Sequence, residues 1–352
     1  MGAAEHSATL YRSLRPLLFR LEPELAHALS LNLLRLVGLL PPLRWTVKRA
    51  LSAAPGRPVE AFGLTFANAV GLAAGYDKDA VAWRGLACLG FGHVELGTVT
   101  PRPQPGNPRP RVFRLTAERS LINRLGFPGR GADYVARRLH SGTRPSGLIV
   151  GVNIGKQRET SLERAADDYL LLMDRLAPAA DYLTVNVSSP NTPELRRLQH
   201  REWLGPLLQL LGEHRKALRN KLGRPLPLLV KLSPDLCDTE LDSALAAIQD
   251  AALDGVVATN TTTSRDGLTS PLLDQSGGLS GAALSARSTS MVRRIARRTG
   301  GRLPIVASGG VMGPADAREK LDAGACLVQL YTGLIYEGPG LVKRILRELD
   351  RG

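Results

Sequence analysis

From residue 63 onward, eight short apolar runs alternate with helix-like stretches, and this alternation leaves very few folds open to the chain. The runs are 68–74 (NAVGLAA), 92–99 (GHVELGTV), 147–153 (GLIVGVN), 181–187 (DYLTVNV), 227–232 (PLLVKL), 254–260 (DGVVATN), 304–308 (PIVAS) and 326–331 (CLVQLY). Helical patterning covers 79–90, 130–140, 160–177, 202–220, 238–252, 285–299, 314–323 and 339–350. Strands that alternate with helices pair in parallel. Eight such units over about 290 residues predict an α/β fold closed as a (β/α)8 TIM barrel. An open doubly wound sheet is the alternative, but no GxGxxG opens a helix after the first run.

In such a barrel the chemistry sits at the C-terminal ends of the strands. All eight ends carry residues that pack poorly and bind well, among them Gly75 to Lys78, Asn186 to Asn191, Thr259 to Thr262 and Ser308-Gly309-Gly310. A buried Asn or Lys costs stability unless partnered, so ligand atoms are the expected partners. The last two ends, with Gly277 to Gly281 before the seventh strand, are small and rich in backbone N–H. Loops in that place cradle phosphate. Asn123, Asn186, Asn191 and Asn260 each offer a donor and an acceptor, which matches a planar ring with alternating NH and C=O groups. Lys78 and Lys231 give the pocket a cationic character suited to an anionic ligand. A Schiff-base lysine is the rival use, and a lysine snorkelling to the barrel rim is the bland one.

Residues 1–52 read as a separate helical pair, and 53–352 as the barrel. In 7–21 (SATLYRSLRPLLFRL), Leu10, Leu14, Leu17, Leu18 and Leu21 recur at helical spacing. In 23–40 (PELAHALSLNLLRLVGLL), Pro23 starts a second helix, Pro41-Pro42 ends it, and 52–58 (SAAPGRP) reads as a linker. Arg15, Arg20 and Arg35 break the apolar stretches, so neither helix spans a bilayer. No signal-peptide or transit-peptide pattern is present. A wide leucine face with a basic rim suits either an anionic membrane surface or a cap packed on the barrel. The net charge of +14 favours anionic partners. Aromatics are only 5% and none interleaves with basic residues, so nucleic acid is not expected. Six arginines from Arg287 to Arg302 fit one exposed helix face. Cys88, Cys237 and Cys326 read as reduced core thiols, and the six histidines show no metal spacing, so no metal is expected.

The segments AAGYDKD (73–79), ELGTVTPRPQPGNPRPRVFRL (95–115), LINRLGF (121–127), VNIGK (152–156), VNVSSPNTPELRRLQ (185–199), KLSPD (231–235), ATNTT (258–262), GGLSG (277–281) and QLYTGLIYEGP (329–339) resemble those of dihydroorotate dehydrogenases. They are similar to the class 2, membrane-associated, quinone-using branch, over about residues 10–348. The resemblance implies FMN-dependent oxidation of (S)-dihydroorotate to orotate in pyrimidine (UMP) biosynthesis, with electrons passed to a membrane quinone. It implies FMN contacts at Ala74, Gly75, Thr98, Asn153, Asn186, Lys231, Thr259, Gly281, Gly310, Tyr331 and Thr332. It implies substrate contacts at Lys78, Asn123, Arg124, Leu125, Gly126, Phe127, Asn186, Asn191, Asn260 and Thr261. Ser189 would be the catalytic base, with Ser188 pointing the other way. The class 1 branch uses a cysteine there, and this loop has none. The helical pair would form a quinone tunnel lined by His27, Arg114 and Tyr331. A monomer is expected, held peripherally on the cytoplasmic face of the cell membrane.

The chain departs from the family pattern at Pro128-Gly129, at 156–158 (KQR) and at 307–310 (ASGG). None of these removes a named site residue. Two other readings stay open: a phosphate-binding lyase using Lys78 or Lys231 as a Schiff base, and a non-catalytic flavin- or membrane-binding module.

Overall fold

The computed structural model describes residues 3–52 and 56–351, with the side chains of residues 3–10 outside the description. The side chain of Leu10 and the centre of the expected linker, residues 53–55, therefore lie outside it. The eight apolar runs form a closed parallel barrel. Its strands are β1 (Val70–Leu72), β2 (His93–Val99), β3 (Ile149–Ile154), β4 (Tyr182–Asn186), β5 (Leu228–Leu232), β6 (Gly255–Ala258), β7 (Ile305–Ser308) and β8 (Leu327–Leu330). They pair in sequence order, and β8 closes on β1 through Gln329 opposite Gly71. Each expected helix appears, from the short Trp83–Ala87 to the long Arg201–Leu222. The strands are buried along nearly their whole length, because helices cover the outside and side chains fill the inside.

Two small sheets complete the barrel. A hairpin of Val59–Ala61 and Leu64–Phe66 lays Ala61 and Phe66 against Tyr182, Leu229, Val257, Val306 and Leu327. It closes the end opposite the catalytic face. On the other side, Val112–Leu115, Ser120–Asn123 and Gly278–Gly281 form a three-stranded antiparallel sheet. This sheet holds Asn123 and Gly281 over the mouth of the barrel. Its strands are four residues each, and the pairing of Asn123 with Gly278 joins distant parts of the chain. No local periodicity announces such a sheet.

The N-terminal segment holds three helices where the sequence suggests two: α1 (Ala3–Leu18), α2 (Pro23–Leu39) and α3 (Pro41–Leu51). Pro41-Pro42 both ends α2 and starts α3. Proline at the first helical position loses no intrahelical bond, and its fixed φ suits a helix start. The helices are docked on the barrel by specific contacts. Tyr11 donates to Ile335 O at 2.6 Å and Arg12 pairs with Glu337 at 3.2 Å. Glu24 on α2 pairs with the buried Arg111 at 2.9 Å. A Cβ at Gly85 would sit 1.9 Å from Leu34 O, so α2 crosses helix Trp83–Ala87 at near backbone contact.

One surface expectation is revised. Cys237 is exposed, because it stands at the N-cap of helix Asp238–Asp250 rather than in the core. The arginine face of helix Ser285–Thr299 is exposed as expected at Arg293, Arg297 and Arg298. Arg294 and Arg298 also reach Asp238 at 2.8 Å and 2.7 Å on the neighbouring helix.

His93 on β2 is fully buried against Phe66 and Tyr182, and neither ring nitrogen has a hydrogen-bond partner. Burial pushes its pKa down to about 3. Below the ordinary value of about 6.5 the unfolded chain takes up a proton that the folded chain refuses. Stability is then lost as pH falls from 6.5 toward 3, at about 1.4 kcal/mol per pH unit and about 2 kcal/mol by pH 5. His93→Phe should narrow the gap between urea midpoints at pH 7.5 and pH 5. An unchanged gap would clear His93 of acid sensitivity.

Candidate active site

The ends of every barrel strand except β3, together with the three-stranded sheet, line one cavity that opens to solvent. Its walls bring together residues spread over more than 250 positions of sequence. Ala74, Gly75, Thr98, Asn186, Lys231, Thr259, Gly281, Gly310, Tyr331 and Thr332 line it. So do Lys78, Asn123, Leu125, Gly126, Phe127, Asn191, Asn260, Thr261 and Ser189. Two lysines and no carboxylate face it among the described residues, so the cavity suits an anionic ligand.

Asparagines at strand ends hold one another in place. Asn186 Nδ2 donates to Thr98 Oγ1 at 3.0 Å and to Asn153 Oδ1 at 3.1 Å. Its Oδ1 accepts from Asn260 Nδ2 at 3.3 Å and from Ser188 N at 3.2 Å. Thr98 donates to Asn153 Oδ1 at 2.6 Å. This is why a buried strand can end in asparagine: the amide's cost is met within the protein, and its orientation is fixed. Asn153 is wholly committed to this network, with Nδ2 on Glu95 at 2.8 Å, and lies behind the cavity wall. Arg124 also stands apart. It reaches outward to Gln275 at 2.9 Å and stacks on Phe113 at 4.7 Å.

The β4 loop separates its two serines. Ser188 is fully buried, donating to Asn186 Oδ1 at 3.2 Å and accepting from Asn260 Nδ2 at 3.0 Å. Ser189 faces the cavity, and its Oγ accepts the Asn191 N–H at 3.2 Å. Alternation along an extended chain puts neighbours on opposite faces. Asn191 Nδ2 reaches Asn123 Oδ1 at 3.1 Å, tying this loop to the small sheet. Thr192 buries an Oγ1 that has no hydrogen-bond partner.

The two lysines differ in their surroundings. Lys78 Nζ donates to Gly75 O at 2.7 Å, and burial brings its pKa down to about 8, opposed by Asp79 and Glu24. Lys231 has its pKa lowered by burial, with Glu95 acting the other way. Glu95 is a feature the sequence reading passes over. It sits inside the barrel and accepts from Asn153, Tyr182, Thr184 and Gln329. A glutamate in the middle of the apolar run HVELGTV was the available signal. Gln329 is buried beside the cavity with its Oε1 unpartnered.

At the far end of the cavity, the amides of Gly309, Gly310 and Val311 have no acceptor among the described residues. Successive free N–H groups form an anion-binding nest. Gly310 has φ +73°, and a Cβ there would lie 2.2 Å from Ser285 Cα. The nest, the unpartnered Gln329 acceptor and the two cations fit a long, planar, phosphorylated ligand.

His27 on α2 does not touch the cavity directly. Its ring lies 4.9 Å from Tyr76, which lies 5.6 Å from the cavity-lining Tyr331. Burial, and secondly Lys78, push the His27 pKa down to about 4, so the ring is neutral. Tyr76 therefore joins the row, a place the sequence reading gave only to His27, Arg114 and Tyr331. Arg114 donates to Leu21 O at 2.7 Å and to Phe19 O at 3.2 Å, bracing the turn between α1 and α2.

Residues 58–352 match the model of the dihydroorotate dehydrogenase family. The chain belongs to the dihydroorotate dehydrogenase family. It is 50% identical to the dihydroorotate dehydrogenase (quinone) of Acidithiobacillus ferrooxidans, over 96% of this chain and 94% of that one. It is 47% identical to the enzyme of the same name from Pseudomonas aeruginosa, over 95% of this chain and 96% of the relative. It also superposes on a crystal structure of the dihydroorotate dehydrogenase of Eimeria tenella in complex with ferulenol. There the TM-score is 0.85 and identity 37%, covering 95% of this chain and 93% of that chain. The chain is thus an oxidoreductase with a TIM barrel, and the lyase and non-catalytic readings are set aside.

Proposed function

We propose that the chain oxidises (S)-dihydroorotate to orotate on bound FMN and delivers the electrons to a membrane quinone, as a step of pyrimidine (UMP) biosynthesis. The observation that carries this is one cavity with an anion nest at Gly309–Val311 and a hydroxyl, two lysines and three asparagines at the other end. Bound FMN supplies a two-electron acceptor for the substrate and a donor for the quinone. The chain's own residues do the rest. Lys231 sets a cation where negative charge grows on the reduced ring. Lys78 takes the substrate carboxylate. Asn123, Asn191 and Asn260 read the imide edges, with Asn191 held on Asn123 and Asn260 held on Asn186 and Ser188. Ser189 accepts the C5 proton while hydride leaves C6. A serine works as a base only if its own proton moves on, finally to solvent, as the C5 proton arrives.

The N-terminal helices fit a peripheral membrane attachment. No single described helix is long and apolar enough to cross a bilayer, and α2 and α3 are bent by 109°. Yet among the described residues eleven of the thirteen exposed large apolar side chains lie between Leu14 and Trp45. Monomeric soluble surfaces rarely gather so many in one place. The His27–Tyr76–Tyr331 row then leads from this apolar face toward the flavin edge.

The deciding experiment is a visible spectrum of the purified protein before and after anaerobic dihydroorotate. A flavin spectrum that bleaches is the expected result. A protein that stays colourless after FMN reconstitution overturns the reading.

A further inference from the structure

Lys320 is a fully buried lysine that the reaction above does not use. It lies on helix Pro314–Asp322, directly after the Gly309–Val311 nest. Its Nζ donates to Ser288 Oγ at 2.6 Å, to Thr289 Oγ1 at 3.0 Å and to Ser285 O at 3.4 Å. All three partners are neutral. An ammonium buried among neutral oxygens is costly unless a charge elsewhere answers it. Glu319 and Asp316 answer it only from a distance; neither touches it, since Asp316 accepts from Met312 N at 2.9 Å and Glu319 faces Arg293 at 3.9 Å.

The surroundings of Lys320 point to where the answering charge belongs. Ser288 Oγ donates onward to Gly309 O at 2.8 Å. Ser285 is the residue whose Cα packs on Gly310. The ammonium therefore stands behind the nest, two hydrogen bonds from a loop whose three amides face the cavity unpaired.

We propose that Lys320 is a positioning residue for the FMN phosphate: a buried cation, held by Ser288 and Thr289, that attracts the phosphate through the Gly309–Val311 loop without touching it. The inference rests on the FMN reading. It accounts for a buried lysine with no carboxylate in contact, among the described residues, at the place where the proposed cofactor carries its charge. Charge interactions across several ångströms of protein interior survive because little solvent screens them.

The test titrates apoprotein with FMN and with riboflavin, which lacks the phosphate, and follows the quenching of flavin fluorescence. Lys320→Met should weaken FMN by about tenfold or more and change riboflavin by less than about twofold. Lys320→Gln keeps an amide donor toward Ser288 while removing the charge, and should give the same split if the methionine variant folds poorly. Equal weakening of both flavins would make Lys320 a packing residue, and no weakening of either would remove it from the site. Both results overturn the proposal. Wild-type apoprotein that takes up neither flavin is a different failure, since it sinks the cofactor reading before any substitution is made.

Discussion

Ser189→Ala should keep its bound flavin and slow flavin bleaching by dihydroorotate at least about a hundredfold at saturating substrate, the scale of a lost general base. The change removes one oxygen from a side chain that is 5% exposed and faces the cavity. The loop should keep its shape, because its anchors lie elsewhere. Arg196 Nε donates to Ser188 O at 3.3 Å and its Nη2 to Thr261 O at 3.1 Å. Asn107 Nδ2 donates to Asn191 O at 3.1 Å. Substrate affinity should change little, since the carboxylate and imide contacts are assigned to other residues. The loss therefore belongs in the rate of the reductive half-reaction, measured by stopped flow, and not in its dependence on substrate concentration. Ser188→Ala is the internal control. That hydroxyl is fully buried and engaged with Asn186 and Asn260, so its loss should loosen the asparagine network and act on affinity. A Ser189→Ala protein that bleaches at the parent rate would take Ser189 out of the chemistry.

Much of this site was legible because the barrel converts sequence order into spatial order. Once eight apolar runs alternate with helices, each strand end must face one shared cavity, and residues such as Lys78, Asn186, Lys231 and Asn260 converge without further argument. The resemblance singled out Ser189, and alternation between neighbours set Ser188 on the other side. What stayed hidden depends on contacts between distant segments. Asn153 looks like its neighbours at other strand ends, but Glu95 and Thr98 consume its amide inside the barrel. Arg124 belongs to a motif that faces the cavity, yet its own side chain turns out to Phe113 and Gln275. Tyr76 joins the cavity to α2 only because His27 arrives beside it from another part of the chain. The third helix was masked by Pro41-Pro42, which stops one helix and starts the next.

Replacing Leu29, Leu33 and Leu36 together by glutamate should lower affinity for anionic vesicles by at least about a hundredfold, since each leucine side chain is worth about 1.5–3 kcal/mol on leaving water. Glutamates would also add repulsion from an anionic surface. These leucines are 52%, 63% and 50% exposed and recur on one face of α2, so the barrel does not depend on them. The docking contacts of α2 stay in place, including Glu24 on Arg111 and the close crossing at Gly85. That is the advantage over deleting residues 1–52, which would leave Arg111 buried without its carboxylate beside Asn107 and the Ser189 loop. The triple variant should therefore bleach with dihydroorotate at the parent rate and turn over normally with a water-soluble acceptor. Turnover with a long-tailed quinone in vesicles should fall in step with membrane binding. If vesicle binding survives, the leucine face is not the membrane face. If binding is lost while long-tailed quinone turnover persists, electrons leave by a route other than the His27–Tyr76–Tyr331 row.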